Sequence, residues 1–391
     1  MSTASSVHES LDPVPGGGGL PDVAWVAALA SLPDVGPARL RAMLARGPAA
    51  EVLGRIAGGR LDIDEALATA CGRRAPALLA EWGRIAADLD VAALWARHVQ
   101  AGVGVAVPGG AGYPEALVQD PEPPAVLFSL GAPDVLAGPR VAVVGTRRCT
   151  RYGYEVARDL GAQLASAGVA VVSGLAAGID GAAHRGALDA GAAPPIGVVA
   201  TGLDIAYPPG HRVLWAEVAA AGTLLSEAPL GTRPARWRFP ARNRIIAGLA
   251  DVVVVVESAA AGGAMHTVDE AVRRDRPVLA VPGPVTSPAS LGTNRLLREV
   301  AAPACDADDV LVALGLSPGA TRTATDRRPP PEPTAAVVLD ALGWVPATLG
   351  DLVTRSGHAP GVVDLALTAL ESDGWVASSG AWYERRHRDG A

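Results

Sequence analysis

Three stretches carry residues whose types and spacing suit a phosphate-rich ligand. The first, VVGTRRCTRYG at 143–153, ends an apolar run on Gly145 and continues with Thr146, Arg147, Arg148 and Arg151. A glycine there lets the chain turn tightly, and the N–H groups that follow, with a helix N-terminus, make an anion seat. The second, VVSGLAAGIDGAAH at 171–184, offers Ser173, Gly174 and Gly178 for close approach of a phosphate. Its Asp180 and His184 lie four apart, on one helical face. They suit acid–base or metal chemistry, or else a helix-capping carboxylate beside a hydrogen-bonded imidazole. No third ligand or paired nucleophile is evident, which favours the structural reading. The third, GTRPARWRFPARNRIIAGLAD at 231–251, has Arg233, Arg236, Arg238, Arg242 and Arg244 with Trp237 and Phe239 among them. Glu227 and Asp251 only bracket that run. Arg242, Asn243 and Arg244 open an apolar helix, and guanidinium groups at a helix start suit phosphate.

Together these seats fit a polyanion better than a single nucleotide. The first turn is not GxGxxG, and no acidic residue about twenty positions on is placed to take a ribose. A groove lined by guanidinium groups and a ring or two suits single-stranded nucleic acid, where charge follows the backbone and bases stack. Arg242 and Arg244 are the expected backbone contacts, with Arg233, Arg236 and Arg238 as outer support. Trp237 is a candidate for stacking, and Phe239 is read as a core residue.

The elements that position these seats alternate. RVAVVG (140–145), VAVVSG (169–174), IGVVA (196–200), TLLS (223–226), VVVVVE (252–257) and PVLAVPG (277–283) read as strands with helical patterns between them. Strands apolar on both faces imply a parallel sheet covered by helices. The fold class is therefore α/β, a Rossmann-like doubly wound sheet over 105–316, where ligands bind beyond the carboxyl ends of the strands. Residues 1–20 read as a disordered tail and 21–104 as a helical domain. In the latter, LPDVGPARLRAML (32–44) has the form of a helix–hairpin–helix, able to offer N–H groups to phosphate or to act as a plain helical cap. A Pro-, Thr- and Arg-rich linker covers 317–334. Residues 335–391 read as a winged-helix-like domain whose third helix, 361–374, carries Asp364 and Glu371 but no arginine. That favours a protein-contact module, a degenerate DNA module or a structural appendage.

The 391-residue chain has a formal charge of -7 and no lysine, so nucleic-acid binding must rest on local patches. Cys71, Cys149 and Cys305 form no CxxC pair, which argues against a disulfide framework or a cysteine zinc site. The N-terminus lacks a signal-peptide pattern and VVVVV at 252–256 is too short to span a bilayer, so a cytoplasmic protein without membrane contact is expected. Neither a cofactor nor a metal is called for.

The ordered blocks VAVVGTRRCTRYG, VVSGLAAGIDGAAHRGAL, ATGLDIAYPPGHRVL, SEAPLGTRP, FPARNRIIAGLADVVVVVE and AVPGPVTSPASLGTNRLL resemble the DNA-processing protein A (DprA, or Smf) family over roughly 105–305. The resemblance implies a dimeric, non-catalytic protein that binds and protects single-stranded DNA. It also implies help in loading the RecA recombinase in natural transformation. The family's DNA-binding arginine falls on Arg147, its glycine segment on Ser173 to Asp180, and its F-x-x-RNR helix start on Phe239 to Arg244. Ala177 stands where many members have a base, and His266, in GGAMHT (262–267), where they have an aliphatic residue. A second reading is a phosphoribohydrolase-type nucleotide enzyme. GGAMHTVDE (262–270) loosely echoes its glycine loop, with Glu270 as the acid, but lacks the proline and the glycine spacing.

Overall fold

The computed structural model describes residues 19–317 and 328–386. Most of the expected tail and linker lies outside the described residues. Six helices come first: α1 (Asp22–Ser31), α2 (Pro37–Leu44), α3 (Ala49–Ala57), α4 (Glu65–Cys71), α5 (Ala75–Ala87) and α6 (Val91–Gln100). Trp82 of α5 is fully buried and donates its indole N–H to the Pro33 carbonyl at 2.8 Å, which fixes the turn between α1 and α2. The apolar core of these helices runs on through Val103, Val126, Phe128 and Leu224 beneath the sheet that follows.

That sheet has nine strands: β1 (Gly104–Ala106), β2 (Leu127–Gly131), β3 (Arg140–Val144), β4 (Ala170–Ser173), β5 (Ile196–Val198), β6 (Thr223–Ser226), β7 (Val252–Val255), β8 (Val278–Ala280) and β9 (Ala302–Pro303). The helices between them are α7 (Glu115–Val118), α8 (Arg151–Ser166), α9 (Ile179–Ala190), α10 (Arg212–Ala221), α11 (Arg238–Leu249), α12 (Ala264–Val272) and α13 (Leu291–Glu299), with α14 (Ala307–Ala313) after β9. The order across the sheet is β1-β2-β6-β5-β4-β3-β7-β8-β9. Strands β3 to β9 are parallel, and β4 and β7 are buried along their whole length, because helices cover both faces. The sheet is also extended at one edge by antiparallel β1 and β2. The only helix joining those two is the four-residue α7, too short for a parallel crossover.

The chain advances from β3 through β4 and β5 to β6 on one side, then returns to pair β7 with the other side of β3. The crevice between β3 and β7 is the place such a sheet offers a ligand. Helices α8 and α9 lie close together on one face because glycine separates them: a Cβ on Gly161 would overlap the Ala183 carbonyl, and one on Gly186 the Arg158 carbonyl. The C-terminal region packs α15 (Pro333–Leu342), α16 (Leu349–Ser356) and α17 (Pro360–Ser372) around its own core, with a three-stranded sheet of β10 (Ala347–Thr348), β11 (Val376–Ser379) and β12 (Trp382–Arg385). Thr348 and Asp351 form a reciprocal capping box at the start of α16.

His184 sits on the buried face of α9, with Nε2 3.1 Å from the Ile196 carbonyl of β5. Burial pushes its imidazole down to about 4. The unfolded chain therefore binds a proton there that the folded chain refuses, so stability falls as pH drops from about 6.5 towards 4. His184 should account for roughly 3 kcal/mol of that loss. Urea unfolding at pH 7.5 and 4.5 checks it, since His184→Gln should be the less acid-sensitive protein.

Candidate nucleic-acid interface

The loop after β3 is shaped by contacts to the end of β7. Thr146 N–H donates to the Glu257 carbonyl at 2.7 Å, and the Thr146 carbonyl accepts from Ile179 N–H at 3.3 Å. The Thr150 N–H and hydroxyl donate to the two Glu257 carboxylate oxygens at 2.9 and 2.6 Å, while Thr150 Oγ1 caps α8 by accepting from Gly153 N–H. Gly145 and Gly178 are required for this closeness. A Cβ on Gly145 would meet Ile179 and the Glu257 carbonyl, and Gly178, at φ +80°, faces the Thr146 carbonyl.

These contacts change the role expected of the first stretch. The N-terminus of α8, an expected anion seat for a ligand, is occupied by the protein's own buried Glu257 carboxylate. A carboxylate there is favoured by the helix dipole, as a phosphate would be. Glu257 was missed as a functional residue, although a carboxylate closing an aliphatic strand was a visible signal.

The second stretch is also largely self-satisfied. Ser173 Oγ donates to the Val143 carbonyl at 2.6 Å, joining β4 to β3. Asp180 accepts from Gly174 N–H at 3.1 Å, and Arg242 Nη1 donates to the carbonyls of Gly174 and Val198 at 2.7 and 2.6 Å. Gly174 is therefore gripped by opposite charges, and a Cβ on it would overlap the Arg242 guanidinium. Burial raises the Asp180 pKa and the Arg242 charge opposes that rise, while burial brings Arg242 down to about 10. Asp180 and His184 do not act as a pair: each has its own backbone partner.

The third stretch divides. Arg242 faces the crevice; Arg244, two residues on, points the other way round the helix. Its guanidinium is buried against the Glu227 carboxylate and the Glu122 carbonyl. The expected backbone contact at Arg244 is thus corrected to a structural ion pair, and Glu227, which only brackets the run in sequence, folds back onto it. Asp251 pairs with Arg140 instead. Trp237 leaves the crevice to lie on Gly36 in the turn before α2, with Arg238 over its ring at 4.4 Å. The candidate hairpin therefore packs against the sheet domain through its turn. Phe239, read as a core residue, is half-buried in the crevice wall, with the Arg147 guanidinium 4.9 Å from its ring centre and Tyr207 beside it at 5.4 Å.

The result is one groove of about 660 Å³ at the carboxyl ends of the strands. Gly145, Thr146, Arg147 and Arg148 line it from the β3 loop, Asp180 from α9, and Phe239, Arg242 and Asn243 from α11. Arg236, expected as outer support, joins them, as do Tyr207, Gly262, Gly263, His266 and Thr267, which carried no expected contact. Four guanidinium groups thus face one carboxylate. Ser173, Gly174 and Gly178 support the groove without lining it, and Arg244 lies in a separate cleft towards α2. Glu270, the acid of the enzyme reading, is held by Arg273 and Arg274 and also belongs to that cleft.

Residues 105–315 match the family described as DNA recombination-mediator protein A, and 322–380 match the DprA winged helix domain. The chain belongs to the DNA recombination-mediator protein A family. A Mycobacterium tuberculosis DprA protein is 44% identical over 272 residues, covering 66% of this chain and 68% of the relative. Protein Smf of Synechocystis is 34% identical over 326 residues, covering 74% and 82%. The X-ray structure of Streptococcus pneumoniae DNA processing protein A aligns with a TM-score of 0.60 at 30% identity, covering 75% of this chain and 98% of that one. The strand-end groove lies within the matched DprA segment, and α15 to β12 coincide with most of its winged helix.

The Arg244 pair gives a test of the division within α11. Arg244→Gln should cost about 3–5 kcal/mol in urea unfolding, because it leaves Glu227 buried without its partner. Arg147→Gln, on the groove wall, should leave the unfolding midpoint unchanged.

Proposed function

We propose that the groove binds single-stranded DNA without sequence preference, and that the chain is a binding protein rather than an enzyme. One observation carries this reading: four guanidinium groups and the Phe239 ring share one strand-end groove that contains a single carboxylate. Guanidinium groups follow a phosphate backbone, and an aromatic face accepts any base, contributing roughly 1–3 kcal/mol per stacked base. In the free protein Arg147 covers that face as a cation–π partner. A strand would draw Arg147 to a phosphate and place a base on Phe239. Arg148, Thr146 and Asn243 would supply further backbone contacts, with Arg242 as a fixed positive floor. The N-terminus of α8, which could cradle a single nucleotide's phosphate, is already served by Glu257, which supports a polyanion over a nucleotide.

The family's description as a recombination mediator supports a wider role, in which a cytoplasmic homodimer protects incoming strands and hands them to the RecA recombinase in transformation. Among the described residues no helix is long and apolar enough to cross a membrane.

Fluorescent oligo-dT should bind more tightly than duplex of equal length and lose affinity steeply as salt rises. Arg147→Gln should weaken binding and flatten the slope of log K against log salt by about 0.7, the share of one phosphate contact to a single strand. Salt-insensitive or absent binding, with release of free base from a nucleotide, would favour the enzyme instead.

The exposed face of α17 presents Val362, Asp364 and Leu365, and Glu371 is engaged with Ser378 of β11. A helix so equipped suits protein contact. Removing residues 317–391 should therefore leave oligo-dT affinity within about twofold in the same titration, a change below ~0.5 kcal/mol. A larger loss would give the winged helix a direct part in holding DNA.

A further inference from the structure

The start of α11 is a ridge with a basin on either side. Pro240 lines both of them, the strand-end groove and the cleft towards α2. Arg236, Trp237 and Pro240 are exposed along the crest. The cleft holds about 690 Å³, close to the 660 Å³ of the groove. Phe239 lines the groove and Trp237 the cleft, so each basin has an aromatic wall. Trp237 is 44% exposed, although its ring edge rests on Gly36 and Arg238 lies over the ring.

The charges of the cleft come from both domains. Arg39, Arg41 and Arg74 stand on the helical side and Arg244 on the sheet side, with Asp34, Glu122 and Glu270 among them. Pairing removes most of these charges from play. Asp34 is 2.8 Å from Arg74, Glu270 is held by Arg273 and Arg274, and Arg244 is held by Glu227. Arg39 and Arg41 then face Glu122, which leaves an excess of positive charge. Both stand on α2, the second helix of the hairpin at 32–44. Arg39 donates to the Ala70 and Asp34 carbonyls, which fix its place and leave its charge. Arg41 differs, because its Nη1 is buried and has no hydrogen-bond partner among the described residues. A buried cationic donor without an acceptor is unfavourable, and an anion entering the cleft relieves it.

We infer that the cleft is a second subsite for the strand held in the groove, reached over the Trp237 ridge. This rests on the groove being the DNA site. The cleft repeats the chemistry of the groove, a ring beside guanidinium groups, and shares a wall with it, as a continuous strand requires. A strand too long for the groove crosses Pro240, offers a base to Trp237 and brings phosphates to Arg41 and Arg39. The helical domain is then part of the nucleic-acid surface.

The test is titration of fluorescent oligo-dT of about 6 and about 16 nucleotides, the span of single-strand site sizes. The full chain is compared with Arg41→Gln, Trp237→Leu and Arg74→Glu. What counts is the gain in affinity from the short to the long strand. Its statistical part, from extra registers on the longer strand, is common to all four proteins. Arg41→Gln should lower the gain about five- to tenfold, as loss of a charged hydrogen bond does. It should also flatten the salt slope on the long strand by about 0.7. Trp237→Leu should lower the gain about fivefold or more without changing that slope, since stacking carries no net charge. Arg74→Glu reverses a charge on a side chain 61% exposed at the rim, leaves the domain joint alone, and should also lower the gain. Equal gains in the native chain, Arg41→Gln and Arg74→Glu would overturn the subsite while leaving the groove as the DNA site. Absence of binding at either length would overturn the groove reading, and the subsite with it.

Discussion

The Glu257 carboxylate fixes the geometry on which the groove depends. It ends the run that begins with β7, accepts from both the backbone and the hydroxyl of Thr150, and lies against Gly153 in the first turn of α8. The backbone carbonyl of Glu257 itself takes the Thr146 N–H. The loop bearing Arg147 and Arg148 is therefore anchored at both ends to the strand beside β3, so its arginines project from a fixed base. The same carboxylate supplies the negative charge that the start of α8 favours. What would be a phosphate cradle in a nucleotide-binding sheet is here a structural clamp, and the cations at the groove are side chains.

Arg242 plays the matching part on the other side of the crevice. Its guanidinium joins α11 to the ends of β4 and β5, and Asp180 balances its charge nearby. A buried cation of this kind is stabilised by carbonyl dipoles and one carboxylate, an arrangement that would be costly without them. The groove floor is thus positive and held by backbone carbonyls, while its walls carry Arg147, Arg148 and Arg236. This division suits a ligand whose bases vary but whose charge spacing does not.

The aromatic residues of the same segment serve two different partners. Phe239 stays with the groove, whereas Trp237, two residues earlier, crosses to Gly36 and ties the helical domain to the sheet. Gly36 is needed at that contact because a Cβ there would meet the indole ring. The segment between β6 and α11 is therefore both a groove wall and a domain joint. Glu227 and Arg244, paired beneath it, hold that joint to the core.

Much of this was legible in the sequence by itself. Aliphatic runs ending in glycine, alternating with helical patterns, specify a doubly wound sheet because strands buried on both faces must be apolar throughout. The same rule places Gly145 and Gly174 at strand ends, where such sheets bind ligands. The antiparallel edge of β1 and β2 was less legible, since short strands near a helical domain carry little periodic signal. Only the tertiary structure decided which charges are free. Glu227 and Glu257 lie 17 and 107 residues from Arg244 and Thr150, and neither partnership has a local sequence mark. Arg242 and Arg244 look alike in the chain, but the helical turn between them sends one to the groove and the other to a carboxylate. Phe239 and Trp237 part in the same way. Residue type gave the groove its chemistry; long-range pairing decided which residues remain to use it.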